Sequence, residues 1–270
     1  LYVADMAPRR KPLNQSLENA LDLLELLPRR GALRSGEIAR ALELKPNTAN
    51  NMARTLLSRG YLAQDELGRY HLGPQCFFLG QEQSVFREFR RLALPSMLKL
   101  SCETGDNAFL GIECDGRLYM VAHTEGTNVI RVSEPQKWQK QFHCSAAGKV
   151  ILAEQGVSWL DDITADEPLA RQTGKTKISR AALADDISMT RERGFAECID
   201  EAAEGIHAIG VAVRRANGAL IAALSQSFPS FFVSEGRIDI ANRVSLLQNC
   251  AQNLGRRLES VLDRGDNTPE

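Results

Sequence analysis

The order of elements between Ser16 and Leu72 constrains this chain most: three apolar runs at helical spacing, then two short runs of strand character. The first run sets Leu17, Ala20, Leu21, Leu24 and Leu27 on one face behind Ser16, a suitable N-cap with Glu18 in the first turn, and Pro28 stops it. A second helix starts near Ser35 with Ile38, Ala39 and Leu42 on one face, and a connector through Leu44 and Lys45 leads to Pro46-Asn47-Thr48. Asn47 and Thr48 cap or open a third helix, with Ala49, Met52, Ala53, Leu56 and Leu57 turned inward and Asn47, Asn50, Asn51 and Arg54 outward. Tyr61-Leu62-Ala63 and Arg69-Tyr70-His71-Leu72 then read as a hairpin around Asp65-Glu66-Leu67-Gly68. Two short helices joined by a tight connector and followed by a wing make a winged helix-turn-helix. Asn amides can pair with adenine and Arg with guanine or phosphate. Lys45, Asn47, Thr48, Asn50, Asn51 and Arg54 are therefore the candidate contacts to double-stranded DNA, with Arg69 in the wing. The competing reading of that face is a merely solvated one.

At 270 residues the chain has room for a small and a medium domain. Formal net charge is only -1, yet residues 1–75 hold 11 Lys+Arg against 8 Asp+Glu, the sign expected of an N-terminal DNA reader. Pro8-Arg9-Arg10-Lys11-Pro12 has clustered charge and no apolar period, so residues 1–14 are expected to be a mobile basic arm. No run approaches the roughly 20 apolar residues a membrane helix needs, and no signal peptide stands out, which implies a cytoplasmic protein without a membrane partner. Six cysteines show no metal-ligand spacing, so neither a metal nor a cofactor is expected.

Beyond Gly73, Phe77, Phe78, Leu79, Phe86, Phe89 and Leu92 mix with arginines and do not alternate, which predicts a linker helix over 76–93, and a separate helix follows around Leu94 to Cys102. Hairpins are expected around Asp115-Gly116 and Asn217-Gly218, a further strand at Val129 to Val132, and helices at Ala146 to Ala153 and Ala181 to Arg193 with Gly194 as stop. In the long final helix Ile240, Val244, Leu247, Ala251, Leu254, Leu258 and Val261 recur at steps of four and three, which core packing or subunit contact would both explain. The fold class is α+β, an antiparallel sheet flanked by helices behind the winged helix-turn-helix. Ser145-Ala146-Ala147 places small residues at a helix N-terminus, where backbone N–H groups favour a carboxylate or another electron-rich oxygen. Ser225 and Ser227, two apart on a strand, share one face and could supply two hydroxyls; close packing of small residues is the other reading.

Ser16-Leu17-Glu18-Asn19-Ala20-Leu21, Gly36-Glu37-Ile38-Ala39-Arg40 and Gly60-Tyr61-Leu62 with Gly68-Arg69-Tyr70-His71-Leu72-Gly73-Pro74 resemble the DNA-binding domain of the IclR family of bacterial regulators. His143-Cys144-Ser145-Ala146-Ala147-Gly148-Lys149, Gly194-Phe195 with Glu204-Gly205-Ile206, and Ala222-Ala223-Leu224-Ser225 with Ser227 resemble the family's GAF-like effector-binding domain. The resemblance covers roughly residues 15 to 260. It implies a winged helix-turn-helix over 15–75, the linker helix, an effector-binding domain over 94–264 and a tail over 265–270. The effector site it implies consists of Val132, Ser145, Ala146, Ala147, Cys198, Ile206, Ala208, Ser225 and Ser227. This chain has Cys198 where the family often has an acid and Ala208 where it often has Cys, and Trp138 to Phe142 replaces an aliphatic-Pro pair, which adds Trp138 and Phe142 as possible walls.

The implied function is a ligand-responsive repressor of a catabolic operon, working as a homodimer or dimer of dimers and re-set by a small organic acid, semialdehyde or lactone. An activator of aromatic-acid catabolism is the alternative. An enzyme would have to use Cys144 or Cys198 with His143 or His207 as base, but no third orienting residue is marked, so no catalytic residue is assigned.

Overall fold

The computed structural model describes residues 14–81, 84–130, 132, 142–163 and 169–265. Trp138, all but Asn14 of the expected basic arm, and residues 266–270 lie outside them. The chain forms two compact units, Leu1–Ser84 and Val85–Glu270.

In the first unit, α1 (Gln15–Arg30), α2 (Ser35–Ala41) and α3 (Pro46–Ser58) precede the hairpin β1 (Leu62–Gln64) and β2 (Tyr70–Leu72), and α4 (Pro74–Gln81) follows. Several local expectations are corrected. The N-cap of α1 is Asn14 rather than Ser16, because the Asn14 Oδ1 accepts from both Ser16 N and Leu17 N. Pro28 does not stop α1. It sits in the last turn, and the helix ends at Gly31, whose N–H donates to the Leu27 carbonyl. The buried face of α1 is Leu23 and Leu27 with Leu24 beside them, while Leu17 and Leu21 are 58% and 48% exposed. α3 opens at Pro46, where a missing N–H costs nothing, with Lys45 as a cap that has no side-chain bond, so Asn47 and Thr48 stand within its first turn. Its inward face is as the spacing demands: Ala49 and Ala53 are buried, and Met52, Leu56 and Leu57 pack against Ile38, Leu62 and Tyr70 of the same core. Leu33 adds a bridge to Tyr70, closing the wing on the chain before α2.

The second unit opens with α5 (Ser84–Thr104), followed by β3 (Asn107–Cys114) and β4 (Arg117–Thr124). The stretch read as a linker thus holds most of α4 and the first half of α5. The expected break between the linker helix and the helix from Leu94 is absent, and Pro95 lies inside α5 on an exposed position. The Asp115-Gly116 turn has both residues at positive φ, 50° and 70°, as a two-residue hairpin of right-handed twist requires. Next come α6 (Ala146–Gln155), α7 (Val157–Ile163), α8 (Arg180–Arg193), β5 (Ala196–Ile199), β6 (Ile206–Arg214), β7 (Leu220–Pro229), α9 (Ser230–Ser234) and α10 (Ile240–Gly265). The expected strand over 129–132 is absent from its described residues. There the chain turns back instead, with Asn128 N donating to the Gly105 carbonyl and the Val132 carbonyl taken by the Asn107 side chain.

The five strands form one antiparallel sheet in the order β4-β3-β7-β6-β5. Alternation divides it into two faces. Leu110, Val211, Val213 and Leu224 pack with Met97 of α5 and Leu247, Leu254 and Leu258 of α10, so core packing explains the apolar repeat of the last helix. Phe109, Ala196 and Ala223 on the opposite face pack with Ile151 of α6 and Leu183 and Ile187 of α8. No helix among the described residues is long and apolar enough to cross a membrane.

Candidate functional site

Candidate DNA contacts sit on the outer side of α3. Lys45, Asn47, Thr48, Asn51 and Arg54 are exposed and Asn50 is half-buried. Asn47, Asn51 and Arg54 fall at helical steps of four and three, which align them along one stripe. The stripe carries no acidic side chain, since the 13 residues of α3 contain none. Arg69 is placed differently from the other candidate contacts. Its Nε donates to the Asp65 Oδ2 at 2.7 Å and its backbone N–H to the Asp65 Oδ1 at 2.9 Å, so it braces the wing turn. Those bonds, the backbone one foremost, hold the Asp65 carboxyl below the usual carboxylate range.

In the second unit the strand register assembles what the sequence scatters. Cys198, Ala208, Ser227 and Asn107 are successive partners across β5, β6, β7 and β3. One pleat along, Ala196, Gly210, Ser225, Phe109 and His123 make a parallel row. Both rows face α6, and Ala146 of α6 packs in one small cluster with Cys198 and Ala208. Ile206 lies one pleat further on β6 and is half-buried. Gly210 makes the close approach possible, because a Cβ there would stand 2.8 Å from the Ala146 carbonyl oxygen. Val132, buried, is tied to the Ser227 row by Asn107, whose Nδ2 donates to its carbonyl at 2.7 Å.

Two of the expected polar contributors already have internal work. The Ser145 hydroxyl caps α6 by accepting from Gly148 N. The Cys198 thiol donates to the Cys144 carbonyl at 2.8 Å, and burial pushes its pKa up to about 12. Phe142 belongs to the core instead, packed edge-on against Trp159 with ring centroids 5.0 Å apart, and Ala147 is buried in the same cluster. Ser225 is buried and Ser227 half-buried. An open depression elsewhere on the unit is lined by Thr173, Gly174, Lys175, Asp200 and Glu204, none of them an expected site residue.

Sequence reasoning missed a buried charge cluster behind α6. Lys149, 2% exposed, places its Nζ 2.6 Å from Asp186 Oδ2, 2.5 Å from Glu201 Oε1 and 3.3 Å from the Glu197 carbonyl. Lys177 pairs with the other oxygen of Asp186. Burial works against the Lys149 charge, but the Glu201 and Asp186 carboxylates outweigh it and hold its pKa above the ordinary lysine value. A lone Lys in Ala146-Ala147-Gly148-Lys149-Val150-Ile151-Leu152 was the available signal, since a cation amid small and apolar residues must find buried partners.

Neither histidine proposed as a base faces a thiol in these pairings. The His143 Nε2 must donate to the Ala170 carbonyl at 2.9 Å, and burial lowers the pKa of the ring. The His207 Nε2 lies 2.9 Å from the Glu197 Oε1.

Residues 16–66 match the family model "IclR helix-turn-helix domain", and residues 85–256 match "Bacterial transcriptional regulator IclR C-terminal". The HTH-type transcriptional regulator XynR of Escherichia coli is 30% identical over 251 residues, covering 92% of this chain and 98% of the relative. The HTH-type transcriptional regulator BhcR of Paracoccus denitrificans is 29% identical over 225 residues, covering 83% and 81%. Among solved structures, an IclR homolog from Microbacterium hydrocarbonoxydans complexed with 4-hydroxybenzoate superposes with a TM-score of 0.74 at 21% identity, over 91% of this chain and 99% of that one. With a helix-turn-helix in one unit, a helix-covered antiparallel sheet in the other and a family match in each, the chain belongs to the IclR family of bacterial transcriptional regulators.

Proposed function

We propose that this regulator is a repressor of a catabolic operon whose grip on DNA is re-set by a small organic acid, semialdehyde or lactone. The observation that carries the effector half is the facing of Ser225 and Ser227 toward the N-terminal end of α6 across Ala208 and Cys198. Backbone N–H groups at a helix start and two hydroxyls on the opposing strand suit a ligand carrying a carboxylate, carbonyl or hydroxyl. Cys198 and Ala208 add no charge there, and a thiol pushed up to about 12 is neutral at pH 7, so an anion meets no carboxylate from that pair. The domain limits of 15–75 for DNA and 94–264 for effector belong to this reading. A relative named the acetate operon repressor, of Salmonella typhimurium, favours the short-acid class. The structure of the homolog complexed with 4-hydroxybenzoate favours a second reading, an aromatic acid that switches an activator. Covalent catalysis is disfavoured, because thiols held near pKa 12 yield almost no thiolate and the two imidazoles are spent on a carbonyl and a carboxylate.

The test is a melting screen of short hydroxy and keto acids, semialdehydes, lactones and 4-hydroxybenzoate against wild type and two variants, since a ligand of the folded state raises its melting temperature. The Ser225→Ala/Ser227→Ala double variant and Ala208→Leu, which fills the space opposite Ala146, should each lose the response to any acid that stabilises wild type. Both variants responding normally would place the ligand elsewhere.

For DNA, one helix-turn-helix offers few base contacts, so a homodimer or dimer of dimers reading two half-sites is proposed. Asn51→Ala and Arg54→Ala should each weaken binding to a site selected by wild type from random duplexes by about 1–3 kcal/mol, as loss of a bidentate base contact does. Arg69→Ala should weaken all sequences similarly by loosening the wing turn. Unchanged gel-shift affinity in all three variants would remove α3 and the wing from the interface.

A further inference from the structure

Asn107, the first residue of β3, is buried and uses both ends of its amide. Nδ2 donates to the Val132 carbonyl and Oδ1 accepts from Gly126 N, each at 2.7 Å. A carbonyl can only accept and an N–H only donate, so these partners fix which way the amide points. One side chain thereby holds two points of the chain that follows β4, beside its own strand partner Ser227.

The same stretch is fastened to the last two turns of α5 and to Gly105 and Asp106 just after them. Asn128 N donates to the Gly105 carbonyl and Asn128 Nδ2 to the Asp106 Oδ1, both at 2.9 Å. The Thr124 hydroxyl donates to the Met97 carbonyl at 3.3 Å, so its 2.7 Å partner Ser101 must be the donor in that pair. From the other side, Gln226 Nε2 donates to Thr104 Oγ1 at 2.7 Å, and Arg243 of α10 pairs with Asp106 Oδ2 at 2.9 Å. The end of α5 is therefore gripped by the neighbours of the Ser227 row, and α5 is the helix that follows the DNA-binding unit in the chain.

We propose that Asn107 is a positioning residue that locks Gly126 and Val132 against the effector face and, through residues 124–128, transmits the state of that face to the last two turns of α5. This rests on the effector reading above for the meaning of the signal, though the coupling itself does not. Displacing Val132 or Gly126 strands one end of a buried amide, which makes the arrangement two-state instead of graded.

Hydrogen exchange of the full chain measures it without ligand or operator. Asn107→Ala should speed exchange about tenfold in residues 126–130 and, selectively, in residues 97–105. Thr124→Val, of equal size without the hydroxyl bonds, should speed 97–105 while leaving 126–130 at the wild-type rate. Leu183→Ala in α8, buried on the α6 side of the sheet and outside both segments, serves as a control for general destabilisation and should single out neither segment. The proposal is overturned if Asn107→Ala affects 126–130 alone, or all peptides evenly as the control does. Should Asn107→Ala fail to fold, Asn128→Ala at a half-buried position decides in its place: faster exchange at 97–105 supports the coupling, and an unchanged rate overturns it. Failure of the acid screen leaves this result standing, so the two readings fail separately.

Discussion

Lys149→Met is expected to destabilise the second unit by about 3–5 kcal/mol, the cost of removing one partner from a buried ion cluster. For a unit of this size that is a fall in melting temperature on the order of 10 °C. Asp186 and Glu201 are both buried beside Lys149, and Lys177 reaches only Asp186, so the variant leaves Glu201 without its cation. Met restores the volume and the apolar stem, so the loss reports charge and not a cavity. The pH dependence has a fixed sign. The Lys149 pKa is raised above 10.5 in the folded state, so its stabilisation is complete at neutral pH and fades only as pH climbs past 10.5 through the folded value. Toward pH 5 the variant's deficit should narrow, because a protonated carboxyl is cheaper to bury than a carboxylate. Urea unfolding of both proteins at pH 5, 7 and 9 checks this, and a variant as stable as wild type at pH 7 would show the cluster to be solvated. Restoring neutrality with Glu201→Gln in the Lys149→Met background should recover part of the loss, which a purely steric role of Lys149 would not allow.

Features set by local chemistry were legible in the sequence. Asp115-Gly116 dictates its turn through positive φ, Gly194 takes the left-handed position after α8, and Ala49 with Ala53 marks the inner side of α3. Where two readings share the same letters, tertiary packing decided. Leu24 and Leu27 fit a stripe with Leu17 and Leu21 or one with Leu23, and the core took Leu23. Pro28 and Pro95 look like stops, yet each is accommodated within a helix. The effector candidates were legible as residue types, while their grouping was not. β5 is four residues long, and only pairing with β6 sets Cys198 beside Ala208 and, through β7, in line with Ser227 and Asn107. Which polar atoms remain available was equally invisible, since the Cys198 thiol answers to a carbonyl 54 residues away.

Gly210→Val should be the most damaging single substitution on the effector face, because it attacks the seam between α6 and the sheet. A Cβ on residue 210 would lie 2.8 Å from the oxygen and 2.9 Å from the carbon of the Ala146 carbonyl, and 3.3 Å from the Ala146 Cβ. The first two are backbone atoms that no rotamer change can move, so the start of α6 must lift. Forcing extra methyl groups into a packed core costs typically 1–3 kcal/mol, and valine here should reach the upper end, with alanine intermediate. The same lift opens the seam crossed by the Cys198 bond to the Cys144 carbonyl and by Lys149 to Glu201. Desolvation is the largest cause holding the Cys198 thiol near 12, so admitting water should lower its pKa and expose it to labelling. A thiol reagent at pH 8 should therefore modify only exposed cysteines such as Cys102 in wild type, and Cys198 as well in Gly210→Val. If the valine variant melts with wild type and Cys198 stays unlabelled, α6 does not rest on β6 as closely as described. In that case the facing of Ser225 and Ser227 toward the start of α6, on which the effector reading depends, goes with it.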